Sequence, residues 1–290
     1  VIDRNLTNKL EFDNNRRNSN LGYIIKNKDL LNIVYSKLRK KKNVKIFNNI
    51  NINDFQINND FIITNSSNLR IVADLNIAAD GKNSFVKNFF KTPYYSKDYN
   101  KKALVLIIAH TNNHNGTAFE FFYKNGPLAI LPMKKNDGNF CSSIVWTNNS
   151  NYVDQLDYLD SDKLITILNK ETKNCVGNIK KIISKQTFPL SAHINSNFYE
   201  KKTIYIGDSA HSFHPIAGQG WNLGISDVKN LLKLVENYKL YGLDLGSVSF
   251  CKKYHQDNFY NAYRLYHITD KLDVFFKLQN PFISFGRFSG

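Results

Sequence analysis

The stretch Gly207-Asp208-Ser209-Ala210-His211-Ser212-Phe213-His214-Pro215-Ile216-Ala217-Gly218-Gln219-Gly220-Trp221-Asn222-Leu223-Gly224-Ile225-Ser226-Asp227 decides how this chain is read. Just before it, Thr203 to Ile206 form a short apolar run that reads as a buried strand ending at a glycine. An aspartate at the carboxyl end of such a strand stands where open α/β sheets bind their ligands, and its carboxylate can accept hydrogen bonds from sugar hydroxyls. Pro215 stiffens the turn that follows, and Gly218 and Gly220 remove side chains so that backbone can lie against a flat ligand. From about Gln219 to Tyr238, Ile225, Val228, Leu231, Leu232 and Val235 predict a helix with one apolar face. The first N–H groups of that helix point at something carrying negative charge.

Working outward, residues 27–42 (NKDLLNIVYSKLRKKK) place Leu30, Leu31, Val34 and Leu38 at helical spacing, with Asp29 in the first turn and Arg39 to Lys42 in the last, where the helix dipole favours cations. Then the period changes. VKIF, FQIN, FIITN and LRIVADLNIAA are β-rich runs parted by Asn, Ser and Asp, a small meander leading into a buried strand that stops at Asp80-Gly81. From about Pro93 to Pro189 the texture is that of a second domain, with ALVLIIAHT, AFEFFYK, LAILPM and FCSSIVWT as antiparallel strands and a helix around Ser161 to Lys173. Phe119, Phe121, Tyr123 and Trp146 fit either a half-buried sheet or the lining of a pocket for a greasy phenolic ligand. Helical patterns, including CKKYHQDNFYNAYRLYHITDKLDVFF, fill the last third.

Composition narrows the class. The chain has 290 residues, 42% hydrophobic and 22% charged, which is globular and excludes a disordered or collagenous chain. Its longest apolar runs, such as Ala103 to Ala109, fall short of the roughly 18 to 20 residues that span a bilayer. Cys141, Cys175 and Cys251 form no CxxC pair, so a reducing compartment is the simpler reading. Thirty-nine basic against 24 acidic residues leave +15, which favours anionic partners, although lysine doublets such as Lys101-Lys102 and Lys180-Lys181 read mainly as solvated faces. A nucleic-acid binder would interleave aromatics with bases on one surface, and the doublets show no such regularity. His211 and His214 lack a partner set for a metal, and Ser209, Asp208 and His211 lie too close in sequence to form a nucleophilic triad. Both histidines read as supports of the loop. Trp221 could stack on a ligand ring or pack at the helix start.

The stretch resembles the signature GD-[AS]-AH-x3-P-x2-G-Q-G-x-N-x-G-x2-D of the FAD-dependent aromatic hydroxylases, matching at Gly207, Asp208, Ala210, His211, Pro215, Gly218, Gln219, Gly220, Asn222, Gly224 and Asp227. A second signature, ADG-x2-S-x-V-R, is matched by Ala79-Asp80-Gly81-Lys82-Asn83-Ser84-Phe85-Val86-Lys87, with lysine in place of the final arginine. Asn125 to Met133 (NGPLAILPM) followed by Val145-Trp146 is similar to the ubiquinone-biosynthesis branch of that family. The resemblance extends over nearly the whole chain. It implies an α/β fold of mixed character: a Rossmann-like FAD/NAD(P)-binding domain, here incomplete, with an inserted antiparallel substrate sheet of the para-hydroxybenzoate hydroxylase type.

The implied organisation assigns 1–25 to a strand segment of the substrate domain, 26–92 to the first part of the FAD-binding domain, 93–189 to the substrate domain, and 190–290 to the second part with C-terminal helices. The implied activity is monooxygenation of a polyprenylated phenol through a C4a-hydroperoxyflavin, with FAD as cofactor and NAD(P)H as reductant. Asp208 would hold ribityl or ribose hydroxyls, Pro215 and Gly218, Gln219, Gly220, Trp221 and Asn222 the ring edge, and Asp80 and Gly81 the pyrophosphate side. No residue stands out as an acid or base, and no metal is expected. The partners implied are the prenylphenol, other ubiquinone-biosynthesis proteins and a membrane surface, on the inner face of a bacterial membrane or the matrix side of a mitochondrial one. A halogenase or a geranylgeranyl reductase shares the cofactor machinery and is the rival reading. No GxGxxG occurs in the chain, so a fragment lacking the first βαβ unit and some C-terminal tail is expected, with weaker FAD retention.

Overall fold

The computed structural model describes residues 2–3, 22–213 and 218–277. In chain order they form β1 (Ile2–Asp3), α1 (Asn27–Leu38), β2 (Ile52–Ile57), β3 (Ile62–Ser66), β4 (Arg70–Ala73), β5 (Asn76–Ala78) and α2 (Phe85–Phe90). There follow β6 (Tyr94–His110), β7 (Phe119–Tyr123), β8 (Gly126–Asn136), β9 (Asn139–Asn149), α3 (Ser150–Tyr158), α4 (Ser161–Glu171) and β10 (Ile179–Asn195). The chain continues through β11 (Tyr199–Glu200), β12 (Thr203–Tyr205), a 3-10 turn at Gly207–Ser209, β13 (His211–Ser212), α5 (Gln219–Leu240) and α6 (Val248–Lys277). Two compact units divide these elements: among the described residues, 2–3, 22–46, 100–190 and 276–277 form one, and 47–99 and 191–275 without 214–217 the other.

The seven-stranded sheet has the order β1-β7-β8-β9-β6-β10-β13, and β1, β7, β8, β9 and the parts of β6 and β10 within residues 100–190 belong to the first unit. Its strands alternate, so register sorts side chains between two faces. Phe121, Leu128, Trp146 and Leu104 stand side by side on one face, and Phe119, Ile130, Ile144 and Leu106 in the next row. With Val153 and Leu156 of α3 and Leu164 and Leu168 of α4, these residues make one core. Each such side chain, fully buried, contributes about 1.5–3 kcal/mol. Asp160 starts α4 by accepting the Lys163 N–H at 2.9 Å.

The second unit holds an antiparallel meander of order β2-β3-β4 and a small sheet of order β11-β12-β5, in which β12 and β5 run parallel. Phe55, Ile62, Ala78, Ile204, Tyr205, Leu231, Leu234, Phe250 and Tyr254 form its core. Tyr254 donates from its hydroxyl to the Tyr205 carbonyl at 3.0 Å, tying α6 to β12.

Several expectations change. VKIF forms no strand, and residues 26–46 group with the antiparallel unit rather than with the meander. The changeover falls at 99/100 and 190/191, where β6 and β10 run straight through, so no loop marks it. α1 has the expected spacing but buries none of its residues. α5 turns Asp227, Leu231 and Leu234 inward, while Ile225, Val228 and Leu232 are exposed. That helix carries apolar residues on two sides, and the pattern alone does not say which side packs.

Candidate functional site

Parallel pairing of β5 with β12 brings both motifs to one end of one sheet. The Ile206 N–H donates to the Ala78 carbonyl at 2.9 Å, so Asp80 and Asp208 follow the carboxyl ends of adjacent strands. Ser209 is buried and donates from Oγ to the same carbonyl at 2.5 Å, which makes it a splice between the strands rather than a nucleophile.

The loop after Asp208 is fixed from behind. Asp227 and His211 are each 1% exposed, and Nε2 of His211 meets Oδ2 of Asp227 at 2.8 Å. The same oxygen accepts the Gly207 N–H at 3.0 Å. Gly207 has φ +57, and a Cβ on Gly224 would stand 3.5 Å from the Gly207 Cα, so the two glycines let α5 close on the strand end. His211 therefore acts as the expected loop support. His214 and Pro215 lie outside the described residues.

In front of this lock the surface is open. Asp208 is exposed and makes no hydrogen bond among the described residues, with the Lys82 ammonium as a charged neighbour. Gly218 takes the left-handed conformation at the start of α5, and no side chain caps the helix. A Cβ on Gly218 or Gly220 would meet nothing within 4 Å. Trp221 is 60% exposed, so it is not core packing, and Asn222 donates from Nδ2 to Oε1 of Gln219 at 3.3 Å. A free carboxylate, uncapped helix N–H groups and bare backbone suit the hydroxyls and polar ring edge of a flavin. These residues fit that half of FAD.

The Asp80 loop serves its own structure as well. Oδ2 of Asp80 accepts the Val86 N–H at 3.2 Å, Ser84 caps α2 through the Lys87 N–H, and Gly81 has φ +81. Lys87, in the place of the signature arginine, is 5% exposed; its Nζ donates to the Lys82 carbonyl at 3.0 Å and lies 4.5 Å over the Tyr94 ring. Lys82 donates to Oγ and the carbonyl of Ser191. Burial lowers the pKa of both ammonium groups.

His193 was not legible in the sequence. Its Nδ1 meets the Ser212 hydroxyl at 2.8 Å, its Nε2 is buried without a partner, and burial together with Lys87, Lys82 and His211 pushes its pKa down to about 3. Unfolded, the same imidazole titrates near 6.5. The unfolded chain thus binds a proton that the folded chain rejects, and stability present above pH 6.5 is lost as pH falls toward 3. His110 and His255, lowered chiefly by burial, act in the same direction. Below pH 6.5 the His193 share approaches about 1.4 kcal/mol per pH unit. Urea midpoints should fall between pH 7.5 and 5, and His193→Gln should flatten that slope; an unchanged slope in the variant contradicts the assignment.

In the antiparallel unit, Phe121 and Trp146 belong to the helix-covered core, and Phe119 and Tyr123 pack against it. The opposite face of the sheet carries Glu120, Ala129, Val145 and Val105 in one row.

Residues 28–240 match the FAD-binding domain family, and the chain belongs to that family. A mitochondrial ubiquinone biosynthesis monooxygenase, COQ6, of Dictyostelium discoideum is 27% identical over 84% of this chain and 59% of its own length. The ubiquinone hydroxylase UbiM of Neisseria meningitidis is 26% identical over 87% of this chain and 54% of its own length. The chain thus spans a little over half of these relatives. Among solved structures, PqsL, a probable FAD-dependent monooxygenase from Pseudomonas aeruginosa, superposes with a TM-score of 0.70 at 17% identity, over 86% of this chain and 69% of that one. The fold is that of the flavin-dependent monooxygenases, with mixed α/β character and antiparallel sheets.

Proposed function

We propose that this chain is part of an FAD-dependent monooxygenase that hydroxylates the aromatic ring of a polyprenylated phenol in ubiquinone biosynthesis, with NAD(P)H as reductant. The observation that carries the reading is the Asp208 to Asp227 loop: a free carboxylate, an uncapped helix start and a buried lock behind them, in a chain whose relatives are named for ubiquinone biosynthesis. FAD, when bound, activates dioxygen and supplies one oxygen atom to the ring.

The remaining work falls to the chain's own side chains. Asp208 accepts hydrogen bonds from ribityl or ribose hydroxyls, and Asp80 and Gly81 stand on the pyrophosphate side. The backbone from Gly218 to Asn222, with Gln219, would donate to the polar edge of the ring, and Trp221 is exposed in the same turn of α5. Asp227 and His211 hold that backbone still, which matters because donors fixed in advance need no reorganisation during reaction.

No helix among the described residues is long and apolar enough to cross a membrane. A bilayer-dissolved phenol is then met at the surface, and a net charge of +15 favours anionic lipid, at about 1 kcal/mol per Lys or Arg near it, screened by salt. The FAD-loaded protein should sediment with anionic vesicles at low ionic strength, detach in high salt, and oxidise NAD(P)H faster when prenylphenol is supplied. Equal recovery with neutral and anionic vesicles, together with turnover of hydroxybenzoates but not of prenylphenols, overturns the ubiquinone assignment and leaves the flavin assignment standing.

A further inference from the structure

Helix α5 ends in a turn whose backbone is closed and whose side chains are bare. The Leu243 N–H donates to the Tyr238 carbonyl at 2.9 Å and the Gly242 N–H to the Lys239 carbonyl at 3.2 Å, with Gly242 at φ 64. This glycine cap satisfies the last carbonyls of the helix. Further on, Oδ1 of Asp244 accepts the Gly246 N–H at 2.8 Å, and Gly246 is buried where a Cβ would collide with the Asp74 carbonyl oxygen, so the turn is anchored behind. In front, Leu240, Tyr241 and Leu243 are 77%, 73% and 52% exposed. Apolar residues exposed singly are ordinary, but these make a patch. It continues into a groove of about 520 Å³ lined by Leu234, Tyr238, Tyr241, Leu243, Ser249 and Lys252 of α5, α6 and the turn.

The charge around the patch is of one sign. Asp244 lies 3.5 Å from the buried Lys202 ammonium, and Asp257 meets Lys253 at 2.7 Å, so both carboxylates are matched within the chain. Glu236 is the only other carboxylate from 233 to 257. Lys233, Lys239 and Lys252 are exposed and have no ion pair among the described residues.

We propose that this turn docks the protein on a bilayer surface that carries anionic lipid, with Leu240, Tyr241 and Leu243 entering the headgroup region and the three lysines meeting lipid phosphates. A segment placed among lipids finds little water for open N–H and C=O groups, and the capped turn has closed its own. Tyrosine suits the interface, where one end of the ring is apolar and the other wet. Lysines beside it are drawn to an anionic leaflet. A second copy of the chain on the same patch would set like charges against each other. The proposal rests on the hydroxylase reading above only in that a bilayer-dissolved phenol has to be met at the membrane.

The test uses the FAD-loaded full-length protein and phosphatidylcholine vesicles with or without phosphatidylglycerol, with recovery measured by flotation. Leu240→Gln and Leu243→Gln should each lower partition onto phosphatidylglycerol vesicles about tenfold, the loss expected when a leucine no longer leaves water. Lys239→Gln and Lys252→Gln should lower it at low ionic strength and do little in high salt. Tyr158→Gln, at a position 91% exposed at the end of α3, should change nothing. Tyr241→Trp reads the contact itself, because its added fluorescence should shift to the blue on binding and be quenched by brominated acyl chains. Melting temperature and flavin content should match wild type in every variant. Wild-type partition in the leucine variants, no added quenching in Tyr241→Trp, or a wild-type protein that stays off anionic vesicles overturns the proposal. So does a wild-type dimer that Leu240→Gln dissociates. Docking through the turn without hydroxylation of a vesicle-borne prenylphenol removes the hydroxylase reading alone. Hydroxylation with vesicle binding that the turn variants leave untouched removes the docking alone.

Discussion

Gly220→Val should leave the fold intact and strip the protein of flavin. A Cβ at this position meets no protein atom within 4 Å, so the substitution collides with nothing of the chain's own. Gly220 lies in the first turn of α5, where valine is no worse a helix residue than glycine. If a flat ring lies against that backbone, the added branched side chain comes between them, and overpacking of this kind costs about 1–3 kcal/mol or more. FAD retention should therefore fall about 10- to 100-fold or further. The measurement is flavin absorbance per protein after gel filtration, beside the melting temperature of the flavin-free form. Wild-type flavin content in the variant refutes the loop assignment; a lowered apo melting temperature shows that Gly220 serves the fold instead.

Asp227→Ala should produce the largest loss of stability of any single change near the loop. One carboxylate oxygen serves two donors, the Gly207 N–H at 3.0 Å and Nε2 of His211 at 2.8 Å, in surroundings that leave both Asp227 and His211 1% exposed. Alanine leaves two buried polar groups without a partner and a void between β12 and α5. Removing one member of a buried pair costs about 3–5 kcal/mol, a large fraction of what holds a domain together. Asp227→Asn should cost less, because its amide oxygen can still accept the Gly207 N–H. Urea titration monitored at Trp221 checks this ordering. An alanine variant within about 0.5 kcal/mol of wild type would mean that the lock contributes nothing.

How far the sequence alone carries depends on the residue. Asp208, Gly218 and Gly220 stand out in the sequence because a strand end and a glycine-rich turn before a helix demand particular residue types, whereas Asp227 stands there only as the last residue of the signature and its bonds to His211 and the Gly207 N–H come from the fold. The parallel ladder of β5 with β12 joins segments about 125 residues apart, and it could be anticipated only because each strand runs into its own motif. The buried side of α5 could not be read. Ile225, Val228 and Leu232 are as apolar as Leu231, Leu234 and Val235, and only packing chooses between them.

The first part of β10 is not legible as a strand, because Lys180, Lys181, Ser184 and Lys185 among its isoleucines read as exposed loop. The aromatic residues of FEFFY fit core or pocket equally well in the sequence, and the partners that put Phe121 in the core, Leu128, Trp146 and Leu104, belong to three other strands, since register is written in no single stretch. His193 pairs with Ser212 across β10 and β13 for the same reason.

If this chain works, as proposed, as part of a flavin monooxygenase acting on a phenolic ring, one atom of dioxygen enters that ring. Incubating the FAD-loaded full-length protein with NAD(P)H, prenylphenol and dioxygen labelled with oxygen-18 tests it most directly, with the product read by mass spectrometry. The account predicts one labelled oxygen atom in a new ring hydroxyl, with the second oxygen atom released as water. A product without label, or NAD(P)H oxidation that yields only hydrogen peroxide while the phenol is recovered unchanged, would contradict it.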